Sequence, residues 1–77
     1  MTEETQQCSM TSAVTGHSVE MIRQGENTFR VYFRQHGRLI EWHDNLSASK
    51  AHVLFKDYVD IIVERQDEHF EQLKHQL

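Results

Sequence analysis

The stretch that decides the fold is residues 28–43, TFRVYFRQHGRLIEWH. Apolar and polar side chains alternate through residues 28–35, and β-forming residue types dominate there, which is typical of a half-buried strand. His36 and Gly37 then provide a two-residue hairpin turn, because glycine readily takes the positive φ that such a turn requires. Residues 38–43 are predicted to be the returning strand.

The length of this turn predicts the register of the hairpin. With His36 and Gly37 as the loop, Gln35 lies opposite Arg38, and the pairing continues from there. One apolar face then forms from both strands, with Phe33 opposite Ile40, Val31 opposite Trp42, and Phe29 beside them. An apolar face of this size has to be covered by another element of the chain.

The opposite face of the hairpin is the best candidate for a binding surface on the sheet. Its members gather positive charge around an aromatic ring: Arg30, Tyr32, Arg34 and Arg38. Arginine and aromatic side chains are common anchors of protein interfaces, and on flat sheets they also bind nucleic acid by stacking and phosphate contact. The alternative is an ordinary solvated face, on which the arginines pair with Glu20 or Glu41.

Toward the N-terminus the strand signal weakens. Residues 18–23 are predicted to form a first strand, and residues 24–27 the turn that joins it to the hairpin. Residues 1–16, MTEETQQCSMTSAVTG, are rich in Thr, Ser, Gln and Glu and show no sustained period, so we expect a flexible tail there. Residues 17–77 are expected to form a single domain.

Toward the C-terminus the chain is predicted to form one long helix over residues 48–75. Polar residues in 44–49 offer several N-caps, and neither glycine nor proline follows them. Such a helix would be roughly 40 Å long, whereas an eight-residue strand spans only ~27 Å. The expected fold is therefore α+β, a three-stranded antiparallel sheet in β-β-β-α order packed on a helix that extends beyond it.

The apolar arc of this helix is wider than a single sheet can cover. It spans roughly 200°, whereas packing on one sheet needs only about 100°. The residues expected to need a second surface are Val59, Val63, Phe70, Leu73 and Leu77. We therefore predict a homodimer, or a protein partner, that contacts the helix through these side chains.

Charge and composition limit the kinds of partner. The chain of 77 residues has a net charge of −4, with four of its five arginines in residues 23–38 and six acids after residue 56. This balance argues against simple electrostatic binding to nucleic acid. The one cysteine, Cys8, permits no internal disulfide, and the start of the chain lacks a signal peptide's positive region and apolar block. We expect a cytoplasmic protein with no membrane segment.

The sequence offers little that could perform catalysis or hold a cofactor. The six histidines include no His-x-x-x-His pair on the predicted helix, and His69 and His75 are six residues apart, on different helix faces. Cys8 falls in the expected tail, Ser47 and Ser49 serve as helix caps, and there is no glycine-rich phosphate loop. We therefore expect no metal site, no cofactor, no small-molecule substrate and no enzymatic activity.

The order strand, turn, strand, turn, strand, helix resembles that of two families of small domains. One is the N-terminal domain of HicB-type antitoxins, and the other is the three-stranded DNA-binding domain at the N-terminus of phage integrases. The segment from Phe29 to Arg65 is similar to the integrase domain in element order and in its basic strand pair, and in that family residues of the sheet face contact DNA. The acidic helix departs from what a DNA-binding domain favours.

The sequence thus favours a small non-enzymatic binding module that acts through protein–protein contacts, of the kind found among bacterial and phage regulators and inhibitors. The alternative is a nucleic-acid-binding domain that uses the Arg and Tyr face of its sheet. Both hypotheses place the function on a surface and not in a pocket.

Overall fold

The computed structural model describes residues 5–76 and has an α+β fold. Its elements follow one another as four strands and a helix: β1 (Thr5–Thr11), β2 (His17–Arg23), β3 (Phe29–Gln35), β4 (Arg38–Leu46) and α1 (Ala48–Gln76). The strands form one antiparallel sheet in the order β1-β2-β3-β4, and α1 packs against one face of it. The predicted antiparallel sheet with one C-terminal helix is therefore confirmed, but the sheet has four strands and not three.

The prediction of a flexible tail over residues 1–16 is wrong for the part that forms β1. This strand pairs with β2, with Cys8 opposite Met21. Cys8 and Met10 pack against the core, and burial raises the pKa of the Cys8 thiol. The strand was hidden in the sequence because a bulge interrupts its alternation and because pairing with β2, not intrinsic propensity, holds this Thr- and Gln-rich segment in place. Residues 1–4 lie outside the described residues.

The turn between β1 and β2 contacts the turn of the β3–β4 hairpin. Gly16 has a φ of 76°, and its carbonyl accepts a 2.8 Å hydrogen bond from the backbone N–H of His36. His36 and Gly37 have φ values of 51° and 80°, so the hairpin turn predicted at these two residues is present. The two turns therefore meet at one end of the sheet.

A β-bulge in β4 overturns the predicted register. Gln35 lies opposite Arg38, as the turn requires, but Phe33 then pairs with Glu41 instead of Ile40. The bulge accommodates one extra residue in β4 while β3 continues without interruption. Nothing in the alternation of the sequence marks the position at which this residue is inserted.

This shift of one residue exchanges the two faces of β4. Trp42, predicted on the apolar face opposite Val31, pairs with Tyr32 on the outer face, and Ile40 is 47% exposed. His43 takes the place opposite Val31 and approaches the helix. The apolar face that the helix covers is therefore built mainly by β2 and β3.

A second irregularity near the end of β4 returns the chain to the core. Asn45 has a φ of 54°, and beyond it Leu46 pairs with Phe29. Asparagine tolerates this left-handed conformation better than most residues. Leu46 and Phe29 both pack against the core, and Ser47 then caps the helix by accepting a 3.3 Å hydrogen bond from the Lys50 N–H.

The core lies between the middle of the sheet and the first half of α1. Its buried members come from β2, β3 and the helix: Val19, Met21, Val31, Phe33, Ala51, Tyr58 and Ile62. Ala51 is completely buried, and its small side chain lets the helix approach the sheet closely. Tyr58 and His17 both stack on Phe33, with 4.5 and 5.4 Å between ring centroids. Burial of these side chains is the main stabilising contribution to the fold.

The helix is longer than the sheet that supports it. Its 29 residues correspond to ~44 Å, and the described chain measures 54 × 22 × 17 Å. Among the described residues, the last half-buried side chain of the helix is Gln66, which donates a 2.7 Å hydrogen bond to Ser12 Oγ at the end of the sheet. Beyond it every side chain in residues 67–75 is exposed. We call residues 67–76 the helix overhang.

Candidate protein-binding surfaces

The face of the sheet turned away from the helix carries the predicted basic and aromatic residues. Arg30, Tyr32 and Arg34 alternate along β3 with core residues and so lie on this outer face. The bulge adds Trp42: the Arg30 guanidinium lies 5.9 Å from the centre of the Trp42 ring, and that of Arg34 lies 4.7 Å from the Tyr32 ring. We call these four residues the outer-face cluster. Because Trp42 reaches the outer face only through the bulge, the regular pattern of the sequence could not have assigned it there.

Both arginines of the outer-face cluster form ion pairs. Arg30 donates hydrogen bonds of 3.3 and 3.1 Å to Asp44, and Arg34 lies 3.3 Å from the Glu20 carboxylate. The bonds from Arg30 hold the pKa of the Asp44 carboxyl below its usual value, and the backbone N–H of Asn45 adds to this effect. The cluster is therefore an aromatic surface with paired charges, which attracts a phosphate group less than unpaired arginines would.

Arg38, the fourth residue predicted for this surface, does not join it. It pairs with Gln35 next to the turn, and strand alternation places that pair on the face opposite to Arg34. There Arg38 lines a depression on the surface together with Gln35, Leu39 and Ile40. Of the four predicted residues the structure thus brings together three.

The residues predicted to bind a partner through the helix differ in their surroundings. Val59 is half-buried and packs against the core, so the domain itself uses it. Val63, Phe70 and Leu73 are 40%, 49% and 43% exposed, and the last two belong to the helix overhang. Leu77 lies outside the described residues. Three of these side chains are therefore available to another molecule.

The three exposed side chains lie along one stripe of the helix. Val63 and Phe70 are two turns apart, and Leu73 follows one turn later, so all three project toward the same side. We call this set the apolar stripe. A helix end without tertiary contacts frays easily in water, and a partner on the apolar stripe would prevent this.

A polar cluster at the edge of the core was not anticipated from the sequence. The shifted β4 turns Glu41 and His43 toward α1, where the Tyr58 hydroxyl donates a short hydrogen bond to the Glu41 carboxylate and lies 3.1 Å from His43 Nε2. Burial raises the pKa of the Tyr58 hydroxyl, and its bond to the Glu41 carboxylate raises it further. The cluster provides a hydrogen-bond partner for a buried tyrosine, which is a structural role.

An open apolar groove of about 360 Å³ lies between the end of β4 and the first turns of α1. Its lining residues are Leu46, Ser49, Lys50, Val53, Leu54 and Asp57. The lining surface is mostly apolar, and Val53 is 62% exposed. A catalytic pocket needs convergent polar groups, whereas this groove suits an apolar side chain.

Metal ligands do not converge within residues 5–76, where no three His, Cys, Asp or Glu side chains come together in a way that could hold an ion. In the same part of the chain no helix is both long enough and apolar enough to cross a membrane. Three surfaces of the described residues stand out by their exposed side chains: the outer-face cluster, the apolar stripe and the groove.

No protein-family model, no curated protein and no solved structure matches the chain. The strand β1 also gives the chain an element order that differs from the three-stranded order of the HicB-type and integrase domains. Its surfaces are the features that indicate a function.

Proposed function

We propose that this chain is a non-enzymatic protein-binding module whose binding surface is the apolar stripe of Val63, Phe70 and Leu73. A module of this kind would act in the cytoplasm as a regulator or inhibitor, by occupying a surface of another protein chain. Its sheet would serve to hold the first half of the helix, while the helix overhang presents Phe70 and Leu73 of the stripe.

The observation that carries this proposal is the continuation of α1 beyond Gln66, the last half-buried side chain among the described residues of the helix. Fixing the backbone of a residue costs roughly 1–2 kcal/mol of conformational entropy, and burial of a large apolar side chain returns about 1.5–3 kcal/mol. In residues 67–75 all side chains are exposed, including Phe70 and Leu73. A partner that covers these two side chains would contribute the burial that the sheet does not.

The outer-face cluster supports the alternative, nucleic-acid binding, less well. Its arginines pair with Asp44 and Glu20, so a phosphate would have to displace a carboxylate. Trp42 is 54% exposed and offers a ring for stacking, but a single ring gives little affinity by itself.

The proposal is tested with the immobilised chain and a lysate of the organism that encodes it. The variant Phe70→Glu/Leu73→Glu should lose proteins that the wild type retains, because two acids on the stripe oppose apolar contact. Ile61→Glu is the matched control, since it places an acid on an exposed isoleucine on the opposite side of the same helix. Circular dichroism should show the same helix content in all three proteins.

Two outcomes would contradict the proposal. The first is a set of retained proteins that does not change with Phe70→Glu/Leu73→Glu. The second is a loss that occurs with Trp42→Ala instead, which would assign the function to the outer-face cluster.

A further inference from the structure

The spacing of residues along the apolar side of α1 is that of a coiled-coil seam. The seam residues are separated by four, three, four and three positions: Val59, Val63, Gln66, Phe70 and Leu73. Leu77 comes four positions later in the sequence. An average of 3.5 residues keeps one stripe facing a second helix over several turns.

We propose that this seam binds the same seam of a second copy of the chain, with the two helices antiparallel. The inference rests on the proposed function and names its partner. In this arrangement Val63 packs against Leu73 of the second copy, and Gln66 packs against Phe70 of the second copy. The same layers repeat on the other side of the twofold axis, because such an interface is self-complementary.

Charges beside the seam favour the antiparallel orientation. Asp60, Asp67 and Lys74 recur every seven residues along one flank of the seam. In an antiparallel pair this flank lies beside the same flank of the second helix, and Asp60 then faces Lys74 of the second copy. The pair of Asp60 and Lys74 occurs twice in the dimer. The two Asp67 side chains face each other once, at the centre, so the attractive pairs outnumber this single contact between like charges.

A parallel pair would not form these contacts. The flank with Asp67 and Lys74 would then face the other flank of the second helix, which carries Ile62 and His69. Lys74 would lie beside His69, without an opposite charge. Asp67 would lie beside Ile62, which is completely buried in the core of its own domain.

The position of the sheet also favours the antiparallel pair. Burial along α1 ends near Gln66 and residues 67–75 are exposed, so the overhang is open where the second helix has to approach. Antiparallel helices hold the two sheets at opposite ends of the pair. Parallel helices would bring both sheets to the same height beside the seam, where Val59 is already half-buried.

The small number of layers predicts a weak dimer. Stable interfaces usually bury at least ~1,000 Å² in total, and a seam of five residues per copy lies at the low end of this range. We therefore expect a dissociation constant in the micromolar range, on the order of 10–100 μM.

Sedimentation equilibrium of the full chain tests self-association over a range of roughly 10–500 μM, which brackets this dissociation constant. We expect a monomer–dimer equilibrium, in which Phe70→Glu raises the dissociation constant ~10-fold or more, because it removes an aromatic contact at the seam. Ile61→Glu, on the opposite side of the helix, should leave the dissociation constant unchanged. A monomer across the whole range overturns the inference.

Disulfide trapping tests the orientation. Cys8 is the only cysteine, so a Cys8→Ser background allows two single-cysteine variants, Val63→Cys and Leu73→Cys. In a redox buffer the mixture of the two should form the mixed disulfide, and each variant alone should stay reduced. Disulfides formed by each variant alone would show a parallel pair and overturn the inference.

An exchange of charges provides an independent check. Lys74→Asp should raise the dissociation constant severalfold, and Asp60→Lys added to it should restore wild-type affinity. Sedimentation equilibrium and the lysate experiment together separate this inference from the proposed function. A monomeric chain whose retained proteins are still lost with Phe70→Glu/Leu73→Glu refutes only the dimer, whereas a monomeric chain without that loss refutes both.

Discussion

Residues 48–66 and residues 67–76 belong to one continuous helix, but they are stabilised differently. The first segment places Ala51, Tyr58 and Ile62 in the core, and its last residue is hydrogen-bonded to the turn after β1. The second segment has only exposed side chains among residues 67–75. The comparison shows that helix formation follows from the local sequence, whereas burial depends on where the sheet ends.

Ile62 and Leu73 make this difference explicit. They are eleven residues apart, which is close to three full turns, so both lie on nearly the same side of the helix. Ile62 is 0% exposed and Leu73 is 43% exposed. Ile62 therefore contributes to the stability of the domain, whereas Leu73, on the same side of the helix, is available to another molecule.

The largest expected effect comes from truncation of these two side chains. Ile62→Ala should lower the free energy of unfolding by about 2–4 kcal/mol, because it leaves a cavity in the core. Leu73→Ala should change it by less than about 0.5 kcal/mol at a chain concentration too low for dimers. Urea denaturation followed by circular dichroism measures both values. Should Ile62→Ala fail to fold, Ile62→Val is expected to cost about 0.5–1.5 kcal/mol. Equal losses at both positions would show that the overhang belongs to the core.

A smaller loss of stability is expected from a substitution in the turn between β1 and β2. Gly16 has a positive φ, and a methyl group at its Cα would lie too close to the ring of His36. Gly16→Ala should therefore cost about 1–2 kcal/mol, from backbone strain and displacement of that ring. Gly25→Ala is the matched control, because that position has open space around it, and it should be close to neutral. Thermal or urea unfolding compares the two, and a neutral Gly16→Ala would contradict this account.

The smallest effect is a dependence of stability on pH, and it concerns only residues 48–66 of the helix, which contain Tyr58. Burial, together with the hydrogen bond to Glu41, raises the pKa of Tyr58 above the usual value of about 10. The folded chain then holds this proton more tightly than the unfolded chain. This stabilisation is complete below pH ~10 and is lost as the pH rises further, because the unfolded tyrosine ionises first.

Tyr58→Phe should therefore reduce the decline of stability above pH ~10, although it also removes the hydrogen bond to Glu41. Urea unfolding at a series of pH values measures this slope. The same slope in wild type and Tyr58→Phe would show that Tyr58 does not contribute to it.

Local features of the chain could be predicted and distant pairings could not. The turn at His36 and Gly37 and the uninterrupted helix follow from residue types that act within a few positions. The strand β1 was missed because its alternation is broken and its pairing with β2 holds it. The register beyond Arg34 was missed because a bulge has no local signature in this sequence.

In the candidate surfaces, too, some features could be predicted from the local sequence and others depend on how distant strands pair. Arg30, Tyr32 and Arg34 share a face by alternation alone, and that part of the surface could be predicted. Trp42 joins them, and Arg38 does not, because of the actual pairing of β4 with β3. On the helix, the periodicity predicted an apolar arc too wide for one sheet, but it could not show how far the sheet reaches along it.

The sequence by itself determined the α+β class, the hairpin turn and a helix long enough to extend past its sheet. The tertiary structure alone decided that four strands pair, which face of β4 meets the helix, and that the helix is exposed from residue 67 to residue 75. The physical reason is that turns and helices depend on nearby backbone preferences. Strand register and helix coverage depend instead on the packing free energy of the whole sheet against the helix.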